Sequence, residues 1–134
     1  MGRLLLLLIL LPAQRQETFK ARLSTVPMDA TMRSTVAGKG SVTATLIAKK
    51  LSVTGSFEGL ASAATVARLH GGKVTGVRGP AVLDLIVDQA TSGAISGSAT
   101  LTDVQIESLR KGRLYIQIHS EKAPEGNLWG WLLQ

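Results

Sequence analysis

The feature that most constrains this chain is a period-two alternation of apolar and polar residues. Val42, Ala44, Leu46 and Ala48 interleave with Ser41, Thr43 and Thr45. Leu51, Val53 and Phe57 mark the inward face of a returning strand after a turn at Lys49-Lys50, and Leu114, Ile116 and Ile118 repeat the spacing further on. Side chains two apart share one face of a strand, so this spacing builds half-buried strands. Apolar residues make up 45% of the 134, enough for one core, while aromatics are scarce at 4%. With Gly, Ser, Thr, Ala and Val abundant, short strands and tight turns are favoured over a helical bundle.

The rest of the chain fits that reading. Phe19 to Leu23, Thr65 to His70, Ala81 to Asp88, Ala94 to Leu101 and Leu128 to Leu133 read as further strands. On the second of these Val66, Arg68 and His70 share one face, and Ala67 and Leu69 the other. Gly55 suggests a bulge. Residues 27–39, 59–64 and 71–80 read as connections, and Thr91-Ser92-Gly93 as a turn.

Only Thr102 to Lys111 changes period. Thr102 can cap a helix, Asp103 suits its first turn, Ile106 and Leu109 share a face, and Gly112 suits a left-handed stop. The expected fold is all-β: a Greek-key β-sandwich or flattened barrel of about eight strands with one short helix.

Charge narrows the partners. The formal net charge is +6 and the pI about 10.2. The tight basic groups are Lys49-Lys50 and Arg110-Lys111-Arg113, without zinc-finger spacing or an RNA-binding aromatic motif. Specific nucleic-acid binding is not expected; weak, salt-screened attraction to anionic surfaces is. Cysteine is absent, which removes disulfides, thiolate metal sites and cysteine nucleophiles.

Met1-Gly2-Arg3, the apolar run Leu4 to Leu11 and Pro12-Ala13 have the layout of a secretory signal peptide. Eight residues rise about 12 Å as a helix, against roughly 30 Å of hydrocarbon, so no transmembrane anchor is expected. The expected organisation is a signal peptide over 1–13, a lead over 14–17 and one domain over 18–134. The protein is then secreted or periplasmic.

Two stretches are more specific. One runs from Gly59-Leu60 to Val66-Ala67-Arg68-Leu69-His70-Gly71-Gly72. The other contains Leu101-Thr102-Asp103, Leu109, Gly112, Tyr115, His119, Pro124, Gly126 and Gly130. Together they resemble the chordin-type (CHRD) domain, a module of secreted and cell-surface proteins. His70 matches the second histidine of the family's Ala-x-His-Ile-His motif, and Arg68 replaces the first. Tyr115, His119, Gly126 and Gly130 match the later block, while Asn127 and Trp129 depart from its Glu and Arg. The resemblance implies a non-catalytic binding or structural module with an extracellular protein or glycan as partner. The family is also similar to copper/zinc superoxide dismutases in its histidine-bearing strands and Greek-key barrel.

Two sets of side chains could carry chemistry. His70 and His119, the only histidines, stand at strand ends and could ligate copper or zinc. Two imidazoles fall short of the usual three or four ligands, and Arg68 beside His70 repels a cation, so no cofactor is the primary expectation. Asp84 or Glu121 could fill in, though nothing in the spacing places either there. Trp129 and Trp131 share one face of the last strand, either as a platform for a sugar or protein or packed beneath the N-terminal segment or a loop. Glu58, Asp84, Asp88, Glu121 and Glu125 show no spacing that favours a catalytic pair. Gly93-Ala94-Ile95-Ser96-Gly97 is no nucleophile elbow, and Gly71-Gly72-Lys73 no phosphate loop. Ile116 and Ile118 are expected in the core. Gln117, on the opposite face of the strand, costs little to truncate if that face is solvated.

Overall fold

A computed structural model describes residues 15–134. The leader, its cleavage point and Gln14 lie outside the described residues, and Gln16 and Glu17 of the expected 14–17 lead belong to the first strand. Eight strands form: β1 (Gln16–Thr25), β2 (Lys39–Ile47), β3 (Lys50–Glu58), β4 (Ala64–Gly71), β5 (Ala81–Val87), β6 (Gly93–Thr100), β7 (Leu114–Ser120) and β8 (Leu128–Trp131). One helix, α1 (Asp103–Arg110), joins β6 to β7, and a 3-10 turn spans Ala30–Met32.

The strands close into an antiparallel barrel in the order β1-β2-β3-β6-β5-β4-β7-β8. Of the two expected architectures the barrel is the one present, and two of its strands change pairing partner along their length. β1 pairs with β2 over Gln16 to Leu23 and then with β8 at Ser24 and Thr25. β5 likewise pairs with β4 through Leu85 and with β6 at Ile86 and Val87. Each corner strand serves both walls, so neither wall has a free edge.

The alternating apolar residues supply the interior. Phe19, Leu23, Val42, Leu46, Leu51, Val53, Leu69, Ile116 and Ile118 are all buried in one cluster. α1 closes one end of it with Ile106 and Leu109. Thr102 caps this helix, accepting from the Gln105 amide while the Gln105 side chain accepts from the Thr102 amide. Gly112 ends it at φ +70°. Val26, Val36 and Ala123 form a smaller cluster where the 26–38 segment meets the β7–β8 connection.

Three local expectations are corrected. The β2–β3 turn is Ala48-Lys49, because Ile47 pairs with Lys50; Ala48 turns at φ +54° and is exposed instead of facing the core. No bulge occurs at Gly55, where the register runs unbroken. A Cβ there would meet the Ser41 carbonyl oxygen at 2.4 Å, so the glycine allows close strand approach. The irregularities fall instead in β4, between Leu69 and His70 and between Ala64 and Val66. Finally, the outer face of β7 is not solvated. Gln117 is 3% exposed and Tyr115 1%, because loops from both ends of the barrel fold over this wall.

Candidate functional site

The motif residues meet on the outer face of the β4-β7-β8 wall. Antiparallel pairing sets them in rows: Arg68, Gln117 and Trp129 in one, His70, Tyr115 and Trp131 in the next. The second row is a continuous aromatic stack. His70 lies 4.8 Å from Tyr115 at an interplanar angle of 12°, and Trp131 lies 4.8 Å from Tyr115 on its other side. Trp129 meets Trp131 edge-on at 4.7 Å. The Arg78 guanidinium sits 4.9 Å above the Trp129 ring, a cation–π contact.

The 72–80 connection straps this stack. The Tyr115 hydroxyl accepts from the Gly79 amide at 3.0 Å and donates to the Gly79 carbonyl at 3.1 Å. His70 Nδ1 donates to that same carbonyl at 2.9 Å. Gly79 can lie so close because it lacks a Cβ, which would stand 1.9 Å from the Gly71 oxygen. Thr75 ties the strap to the Gly112 carbonyl.

The β7–β8 connection covers the other end. His119 Nδ1 donates to the Pro124 carbonyl at 2.8 Å, and Gln117 Nε2 to the Glu125 carbonyl at 3.0 Å. Gly126 makes room for the amide: a Cβ there would fall 2.1 Å from Gln117 Nε2. Asn127 accepts from the Ala37 amide and so holds the 26–38 segment. At Gly130 a Cβ would stand 2.3 Å from the Arg22 oxygen, where β1 crosses β8. His70, Tyr115, His119, Gly126 and Gly130 thus each hold or admit backbone. Gln117 and Asn127 serve the same purpose. Sequence reading missed both roles, since a lone buried amide leaves no periodic signature.

The histidines do not stand side by side. Each is near the C-terminal end of its strand, but β4 and β7 are antiparallel, so they lie toward opposite ends of the wall. His70 pairs with Tyr115 and His119 with Val66, a separation of four residues, about 13 Å along a strand. Arg68 stands in the row between them and is paired with Asp84 at 2.9 Å. Burial holds the His70 imidazole below its ordinary value; the Gly79 carbonyl pulls the other way, and His119, Arg68 and Arg78 add to the depression. With both Nδ1 atoms donating to carbonyls, each Nε2 is left buried without a hydrogen-bond partner. Among the described residues no three His, Cys, Asp or Glu side chains converge to hold a metal ion. Glu121 and the other acids singled out in the sequence join neither histidine in such a group.

The arrangement defines a class: a small closed all-β barrel with one wall strapped over an aromatic row. The chain belongs to the CHRD domain family, whose model matches residues 19–132, nearly the whole of the barrel. No curated protein and no solved structure gives a match to it.

Proposed function

We propose that this protein is an exported, non-catalytic binding or structural module, acting outside the cytoplasm on an extracellular protein or glycan. The observation that supports this reading best is the use made of the motif residues. Apart from the two histidine Nε2 atoms, their side-chain polar groups hold the protein's own loops, which shapes a surface. The contact face we assign to Trp129 and Trp131, both half-buried, with Arg78 above the Trp129 ring. The family match and the leader-like Leu4 to Leu11 favour export, with the mature chain starting at Gln14. Among the described residues no helix is long and apolar enough to cross a membrane. The spatial order β3-β6-β5-β4 we read as a Greek-key winding, which supports the barrel part of the likeness to copper/zinc superoxide dismutases.

Two measurements test the reading. Intact mass of the exported protein should show loss of residues 1–13; retention of Met1 in a membrane fraction overturns the export step. Partners captured from extracellular protein and glycan libraries should be lost on Trp131→Ala or Arg78→Ala in a variant that stays folded. Capture indifferent to both substitutions refutes the assigned face.

A second reading places copper or zinc on His70 and His119, and one observation favours it. Backbone carbonyls fix both imidazoles with bare Nε2 atoms, the tautomer a metal requires. Their separation and the Arg68 charge weigh against a shared ion. About one metal per chain, surviving a competing chelator and lost in His119→Ala, would establish this reading in place of the first.

A further inference from the structure

The barrel is polar from end to end in its charge. One end carries the start of β1, the Ala48-Lys49 turn, the start of β3, α1, the base of the 72–80 strap and the chain's last residues. Its three carboxylates are already neutralised: Glu17 by Arg110, Asp103 by Lys49 and Glu107 by Lys111. Arg15, Lys50, Lys73 and Arg113 have no carboxylate partner among the described residues, leaving this end at +4. The opposite end, with the 26–38 segment and the β7–β8 connection, has five carboxylates against four cations, Arg22, Arg33, Lys39 and Lys122.

Exposed apolar side chains segregate the same way. Seven large ones are exposed among the described residues, and five belong to the basic end or its strap: Ile47, Val74, Val77, Val104 and Leu133. Val104 is 74% exposed on α1, a position that a water-facing helix surface gives to a polar residue. Val74 and Val77 flank the turn of the strap, each half exposed, directly after Lys73.

We propose that this end of the barrel is a docking surface for an anionic lipid bilayer, with the cations at the headgroups and the aliphatic side chains entering the interface. Charge alone would suit any polyanion. Aliphatic groups interleaved with the cations gain burial only where the partner has an apolar layer beneath its charge, which a polysaccharide or nucleic acid lacks. The surface is distinct from the aromatic face assigned above and does not depend on it.

The test uses the full chain and vesicles of phosphatidylcholine, with and without phosphatidylserine, at low salt. Binding should require phosphatidylserine and weaken as salt rises. Each cation near such a surface is worth about 1 kcal/mol, so Lys50→Gln with Lys73→Gln should lower partitioning roughly thirty-fold. Val104→Gln with Leu133→Gln, which leaves charge unchanged, should lower it further on vesicles and leave retention on heparin unaltered. Thermal melts confirm that both variants stay folded. Equal binding to phosphatidylcholine alone would locate the interaction in Leu4 to Leu11 and overturn the proposal. So would binding insensitive to the aliphatic substitutions, which describes a polyanion partner, or no binding at all.

Discussion

Gln117→Ala is the sharpest test of how the strapped wall is built. The side chain sits on the face of β7 that strand alternation assigns to solvent, yet it is buried and donates to the Glu125 carbonyl at 3.0 Å. Removing it leaves that acceptor without its donor, at about 1–3 kcal/mol. Loss of the buried methylene adds about 0.8 kcal/mol, for about 2–4 kcal/mol in all. That is comparable with Ile116→Ala or Ile118→Ala on the core face, at about 2–5 kcal/mol. Gly126→Ala should be costly for a linked reason, since its Cβ would stand 2.1 Å from Gln117 Nε2 at φ +141°. In the double variant the clash disappears and only the backbone strain remains, so the two losses should fall short of additivity by about 1–3 kcal/mol. Urea unfolding of the four proteins measures this, provided the slope with denaturant is unchanged. A Gln117→Ala loss of about 0.5 kcal/mol or less, or strict additivity with Gly126→Ala, would refute the account of a buried outer face.

Tyr115→Phe removes both contacts to Gly79 and should cost about 1–2 kcal/mol, with proteolysis newly focused within residues 72–79. The His70 imidazole has a folded-state value below its ordinary 6.5, so the unfolded chain binds the extra proton first. Stability should therefore be full above about pH 6.5 and fall as pH drops below it, a slope that His70→Gln removes in melts run across that range. Gly130→Ala should cost about 1–3 kcal/mol or more, read as a lowered denaturant midpoint, because backbone of β1 occupies the space a Cβ needs. A fully stable Gly130→Ala protein would mean that β1 and β8 are not in contact there.

What the sequence determined by itself was the set of local choices. Period-two spacing at Val42, Ala44 and Leu46 and at Leu114, Ile116 and Ile118 selects strands, because a strand side chain's face depends only on parity. Thr102 and Gly112 bound the helix, because caps act on amides and dihedrals within a few residues. The resemblance picked out His70, Tyr115, His119, Gly126 and Gly130, but not what they touch. Only the tertiary structure decided that β1 and β5 close the walls into a barrel. It also put the two histidines toward opposite ends of one wall, since strand direction comes from pairing and not from sequence position. The burial of Gln117 and Tyr115 is of the same kind. Parity makes their face the outer one, but whether water reaches it depends on loops such as the Gly79 strap, anchored through contacts 36 residues apart in the chain. The charge asymmetry between the ends is likewise hidden in a chain where cations look scattered. It arises because antiparallel strands gather the starts of some and the finishes of others at one end.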